Sequence, residues 1–338
     1  MSVHQPLSRR IWQSVIAGVL GSVILLAGSG AAFANPDIWR FEWKKTDFTK
    51  HSVDFDEIIS GGPPKDGIPS IDSPSFAPVK DVIGDLKPTE PVIAFTFNGE
   101  AKAYPLGILM RHEIVNDTVG GKRVAVTYCP LCNAAIVFDA TFDGTAHEFG
   151  TTGKLRNSDL VMYDRTTESW WQQFLGEAIV GEKTGTQLDM LPSRIESFER
   201  FAKRFPDGKV LLPASPFMRG FGSNPYVGYD TSRVPFLFRG DLPDGIPALA
   251  RVVAIGDEAW SVELLRREKT IAHGEIVITW DEGQNSALDT RDISQGRDVG
   301  NVVVQRKTEN GMEDIVHDIT FAFAFHAFRP AGKIHHVK

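Results

Sequence analysis

Pairs of turn-forming residues set between short apolar runs constrain this chain most. Asn98-Gly99, Gly120-Gly121 and Asp143-Gly144 each separate two stretches of strand-like residues. Such dipeptides accept positive φ at both central positions, which a tight type I′ hairpin demands. The spacing predicts hairpins over residues 92–104, 112–128 and 135–149. Ser197 to Phe205 breaks the pattern: Phe198, Phe201, Ala202 and Phe205 fall at i, i+3, i+4 and i+7, so a short helix is expected there. Trp39, Phe41 and Trp43 alternate, which predicts an edge strand. The loop Gly61-Gly-Pro-Pro-Lys-Asp-Gly-Ile-Pro69 lacks the spacing of a phosphate cradle. The expected class is α+β and mainly β, built of short antiparallel hairpins.

Sliding the chain against itself reveals three blocks that recur in order. Residues 252–260 resemble 92–104. Residues 276–287 resemble 124–135 without a gap. Residues 321–334 resemble 198–210. The chain is therefore expected to hold two related halves, each with one short helix. The organisation read from this is an N-terminal segment and loop over 35–90, a first repeat over 91–213, a linker over 214–250 and a degenerate second repeat over 251–338. In this alignment Cys129 falls on Asp281, Cys132 on Gln284 and His112 on Glu268. The second copy keeps the apolar positions and lacks both thiols and the imidazole.

Residues 1–34 read as an export signal rather than as part of the fold. Arg9 and Arg10 precede an apolar segment near residues 15–27, and Ala32-Phe33-Ala34 offers an A-x-A cleavage pattern. Ser8-Arg9-Arg10-Ile11-Trp12 also resembles a twin-arginine signal, with Trp12 where Phe is usual. The expected location is periplasmic or extracellular, with no stable membrane span after cleavage. The net charge is −7 and no basic cluster occurs, which argues against nucleic acid as a partner. The partner expected is a small molecule or a protein.

The only two cysteines, Cys129 and Cys132, stand in Val124-Ala-Val-Thr-Tyr-Cys-Pro-Leu-Cys-Asn133. Pro130 cannot extend a sheet ladder, so a strand should end at Cys129 and turn. Two thiols across a tight turn suit a soft metal ion or a reversible disulfide. A structural zinc site usually has four protein ligands, and one C-x-x-C pair supplies two. A thioredoxin-type motif opens a helix in a βαβ unit, whereas here both flanks read as strands. A plain disulfide staple would close a very short loop, the least effective kind. Across the hairpin, His112 is expected at the same open end as the cysteines. Cys129, Cys132 and His112 are thus the expected ligands for one copper or zinc ion. Glu113, Asn116 and Asp117 follow as supporting polar groups or a general base. Arg156 and Asp159, with Asn157, Ser158, Met162 and Tyr163, form a second polar cluster and are further catalytic candidates. His335 and His336 read as a solvated tail. A metal-free thiol–disulfide protein, or a binding module whose cysteines are only a staple, are the other function classes open to this sequence.

Several motifs together resemble the bacterial and archaeal family known as domain of unknown function 3179. They are the Gly61–Pro69 loop, Ala103-Tyr-Pro-Leu106, His112-Glu-Ile-Val-Asn-Asp117, Val126-Thr-Tyr-Cys-Pro-Leu-Cys132 and Leu155-Arg-Asn-Ser-Asp-Leu-Val-Met-Tyr-Asp164. The resemblance is close over roughly residues 55–213 and looser beyond. It implies that His112 and the cysteines belong to one unit, and it carries no reaction.

Overall fold

A computed structural model describes residues 36–214, 221 and 223–337. The export signal expected at residues 1–34 lies outside the described residues. The described residues are mainly β, with six short α-helices and five sheets of four or five strands, in number and size the blades of a five-bladed β-propeller.

Sheet I joins Arg194–Ser197, Pro91–Phe97, Glu100–Pro105, Lys209–Leu211 and Phe76–Pro78 in that spatial order. Sheet II joins Met190–Leu191, Ala134–Asp139, Lys122–Cys129 and Ile114–Val119. Sheet III joins Ile58–Ser60, Phe149–Arg156, Asp159–Asp164, Trp170–Gln172 and Glu177–Val180. Sheet IV joins Asp318–Phe321, Arg251–Ile255, Glu258–Ser261 and Lys333–His335. Sheet V joins Thr270–His273, Ile276–Asp281, Asn301–Thr308 and Gly311–Asp314.

The first two hairpins form as the turn residues require. Asn98 and Gly99 sit at φ 48° and 79°, and Gly120 and Gly121 at 54° and 84°. The third is shorter than expected. Its outgoing strand ends at Asp139, and Asp143-Gly144 closes only a two-stranded flap of Thr141–Phe142 and Thr145–Ala146. Phe149 then opens sheet III. The expected helix spans Phe198–Arg204, with the Ser197 side chain accepting the Arg200 amide at its start. The expected edge strand at Trp39–Trp43 is instead a helix, Pro36–Glu42. Proline at the first helical position favours that start. Trp39 and Trp43 are four residues apart, so one helix face presents both to Trp170, at ring distances of 5.0 and 5.1 Å. Phe41 lies largely exposed.

Sheets I and IV share one topology. In each, a central antiparallel hairpin is flanked on one side by an antiparallel strand and on the other by a parallel one. A helix links those two flanking strands, and another leaves the hairpin. The registers correspond: Lys102 pairs with Lys209 as Glu258 pairs with Lys333. Sheets II and V correspond likewise, Ile114 opposite Thr127 as Thr270 opposite Thr279. Sheet III has no such counterpart. The correspondence of Cys129 with Asp281 holds in register, Cys129 facing Ala134 as Asp281 faces Asn301. That of Cys132 with Gln284 does not. Residues 130–133 turn tightly in sheet II, whereas residues 282–300 form a long loop in sheet V.

The strand Lys122–Cys129 is central to sheet II, and every residue from Val124 to Cys129 is buried. Side chains on both its faces meet core, so its end is shut away from water. Gly153, at φ 69°, lets the loop from Gly61 press onto sheet III; a Cβ there would sit 1.9 Å from the Pro63 carbonyl oxygen. Among the described residues no helix is long and apolar enough to cross a membrane.

Candidate functional site

Cys129 is the last residue of its strand. Residues 130–133 reverse the chain, with the Asn133 amide donating to the Pro130 carbonyl at 3.3 Å and Asn133 at φ 54°. The Asn133 side chain anchors the turn: its Nδ2 donates to the Ile319 carbonyl at 2.7 Å, and its Oδ1 accepts the Tyr128 hydroxyl at 3.3 Å. The Cys132 carbonyl accepts both the Phe321 amide and the Thr320 hydroxyl, at 3.0 and 2.9 Å. Sheet IV thus holds the cysteine turn from one side.

Sheet III brings the third member. Arg156 and Asp159 are paired across a two-residue turn in which Asn157 and Ser158 lie at φ 53° and 66°. That turn delivers Asp159 to the cysteines. One ligand atom from each of Cys129, Cys132 and Asp159 lies within 4.8 Å of the others, and all three residues are buried. Asp159 Oδ2 accepts the Gln172 side chain at 2.7 Å and the Phe174 amide at 2.9 Å. Its Oδ1 is buried and meets no N–H or O–H donor among the described residues, and the thiols of Cys129 and Cys132 are the further donors to this carboxyl. Both cysteines are free thiols.

The electrostatics follow from burial. Desolvation pushes the Cys129 thiol up and the Cys132 thiol well up. It pushes Asp159 up to about 7, against the hydrogen bonds from Phe174, Gln172 and the two cysteine thiols that pull it down. Glu113 rises to about 8, through burial first and the Asp159 charge second. Asp318, from sheet IV, also rises to about 8 through burial, held back by the Ala135 amide it accepts. Three carboxyls and two thiols therefore gather where none is easily ionised. Among the described residues no lysine or arginine forms an ion pair with Glu113, Asp159 or Asp318.

The expected residues divide. Cys129 and Cys132 come together, and Asp159 joins them. His112 lies outside that group. Its Nδ1 bonds the Pro69 carbonyl at 2.7 Å, and its Nε2 is buried without a partner. The strand begins at Ile114, so His112 and Glu113 sit in the preceding turn, with Glu113 at φ 58°. Asp117 is engaged elsewhere, accepting Lys102 Nζ at 2.9 and 3.0 Å and the Tyr104 hydroxyl at 2.7 Å. Arg156 is paired with Glu57 at 2.7 Å. Asn116 ties Asp72 and Phe149. Met162 and Trp171 lie in the main core and Trp170 in a second core cluster. His335 is not a free tail residue: it stacks on Trp260 and bonds Glu258 at 2.8 Å.

Sequence reasoning missed Asp318 and the segment read as a linker. Tyr229 donates to the Leu131 carbonyl at 2.9 Å, and the Ser158 hydroxyl bonds the Phe236 carbonyl. Residues 229–236 of that segment thus lie against the cysteine turn and its neighbour at Ser158. Its tyrosines were legible only as isolated aromatics without periodicity.

Fold and site together define a mainly β protein with a buried dithiol–carboxylate cluster at a junction of sheets. The chain belongs to the family described as protein of unknown function (DUF3179), whose model matches residues 65–332. No curated protein and no solved structure matches it.

Proposed function

We propose that Cys129, Cys132 and Asp159 bind one divalent soft metal ion, zinc foremost, in an exported protein whose periplasmic or extracellular location rests on its N-terminal signal. The observation that carries this reading is the convergence of one buried ligand atom from each of Cys129, Cys132 and Asp159 within 4.8 Å of one another. Bonds of 2.0–2.3 Å in a tetrahedron put ligand atoms about 3.3–3.8 Å apart, so closing the site takes a shift of at most about 1.5 Å. Two thiolates and a carboxylate carry three negative charges in a dry place. A divalent cation leaves one uncompensated, copper(I) leaves two, and a carboxylate suits zinc better than copper(I). Three protein ligands leave a fourth position open, as catalytic zinc sites do. Glu113, buried close enough to respond to the Asp159 charge, is the group to hold or move a proton beside it.

Thiol–disulfide cycling is the weaker reading. Reactive cysteines are partly exposed with lowered pKa, whereas these are buried and pushed up. We also infer that sheets I and II and sheets IV and V are copies of one unit, from their shared strand order and register. The test is elemental analysis of the exported protein. One zinc per chain, lost in the Cys129→Ser/Cys132→Ser variant, supports the metal site. Metal-free protein that readily forms a Cys129–Cys132 disulfide overturns it in favour of thiol cycling.

A further inference from the structure

We propose that the groove where sheet IV meets residues 230–233 binds a small organic dianion: an apolar body carrying two negative charges, as a phosphate monoester or a dicarboxylate does. The groove measures about 770 Å³, which is the size of a small-molecule site. Its walls come from residues 230–233, residues 245–251, the start of the helix Val262–Glu268, and Arg297 from the long loop of sheet V.

Charge defines the ligand. Arg233, Arg251, Arg266 and Arg297 line the groove, against two carboxylates, Asp230 and Glu263. The lining therefore carries an excess of two positive charges in a chain whose net charge is −7. Asp230 is engaged within the wall. Its side chain has no exposed surface, and it accepts Arg251 and Arg297 at 2.8 Å each and the Ser286 hydroxyl. Arg233 and Arg266 are both exposed. Arg233 has no hydrogen bond or ion pair among the described residues. Arg266 is held over the Trp280 ring, 5.2 Å from its centroid, and donates to the Asp298 carbonyl at 2.6 Å. Each guanidinium keeps N–H donors for a ligand, in a fork that matches carboxylate and phosphate oxygens. Glu263 is exposed and has no partner among the described residues, so it is the one free lining carboxylate that opposes an anion.

The rest of the lining is apolar, with Ile246, Pro247, Leu249 and Val262. A bare inorganic anion would leave these side chains in water, whereas an anion with an apolar body covers them. Two negative charges on that body match the excess of two on the lining. None of Cys129, Cys132 and Asp159 lines the groove, so the inference does not rest on the metal reading.

The test is methyl NMR of the mature chain at about pH 8, where a phosphate monoester is a dianion. The probes are naphthyl phosphate and naphthalene dicarboxylate. Naphthol, which lacks the charge, and inorganic phosphate, which lacks the body, are the comparators. Saturable shifts at Ile246, Leu249, Val262 and Val299 are expected with at least one dianionic probe, at least about tenfold tighter than either comparator. Whichever of the two binds tighter tells a phosphate ester from a diacid as the ligand. Arg233→Gln should weaken binding by about fivefold or more, and Glu263→Gln should tighten it, since each removes one exposed charge of opposite sign. Raising the salt should weaken binding in the parent protein. No saturable shift with either dianion, or shifts outside the groove, would overturn the inference. So would naphthol or inorganic phosphate binding as tightly as the dianions, or the two substitutions moving affinity in the same direction. Metal content is read separately, so loss of the metal site leaves this result standing, and the reverse.

Discussion

Metal binding at this site should be steeply coupled to pH. At neutral pH both thiols stay protonated, because burial pushes them above the ordinary thiol range. Asp159, at about 7, is half protonated there. A metal ion takes the deprotonated forms of all three. Binding should therefore release between about two and three protons from pH 6 to 8, the number falling as pH rises through the Asp159 value. The logarithm of the affinity then rises by the same number per pH unit. Between pH 6 and 8 the gain is about five orders of magnitude, or about 7 kcal/mol. Calorimetric titration of zinc in buffers of different ionisation enthalpy measures the protons, and chelator competition measures the affinity. Asp159→Asn should release about 2 protons at every pH in this range and bind more than about 100-fold weaker, beyond what loss of an outer partner costs. Release of fewer than one proton, or an affinity flat from pH 6 to 8, would refute the three-ligand site.

Three further outcomes separate site from scaffold. His112→Ala should leave metal content unchanged and lower stability by about 1 kcal/mol, the worth of its bond to Pro69, read from urea midpoints; parallel loss of metal would restore His112 as a ligand. Asp117→Ala removes one partner of a buried pair with Lys102 and should cost about 3–5 kcal/mol in urea unfolding, while the folded variant still binds one metal ion. Glu113 has a folded pKa of about 8, above its ordinary value, so its contribution is fully present below about pH 4.5 and lost as pH rises through 8. Metal-free parent protein should thus lose stability relative to Glu113→Gln by up to about 1.4 kcal/mol per pH unit across that window. Urea unfolding with chelator present, from pH 5 to 9, checks it, and a pH-independent difference would refute the assignment.

What was legible in the sequence was local. Asn98-Gly99 and Gly120-Gly121 demand positive φ wherever they occur, so their hairpins needed no tertiary information. Cys129 ending a strand at Pro130 was equally local. The partner of the cysteines was not. His112 follows them across one hairpin in sequence logic, but the chain turns before Ile114 and carries the imidazole to Pro69. Asp159 and Asp318 reach the site from other sheets, and only the packing of sheets III and IV on sheet II determines that. Trp39 and Trp43 show how a period of two can mislead, since positions i and i+4 satisfy strand alternation and a helix face alike.

The corresponding positions in sheets II and V separate what the scaffold needs from what the chemistry adds. Glu113 and Lys269 both take positive φ, at 58° and 62°. The Glu113 carbonyl accepts the Tyr128 amide at 2.8 Å, as the Lys269 carbonyl accepts the Trp280 amide at 2.9 Å. The strained turn is therefore a property of the architecture, since a lysine serves in it as well as a buried glutamate. After Tyr128 and Trp280 the two diverge. Asp281 is exposed and reaches Arg200, whereas Cys129 is buried against Cys132 and Asp159. A sheet of this register closes without thiols, so the fold does not account for them. Burying two thiols and a carboxyl group together destabilises the metal-free protein. In the proposed metal site a bound cation would turn that cost into binding energy, because its ligands would already be gathered and dry.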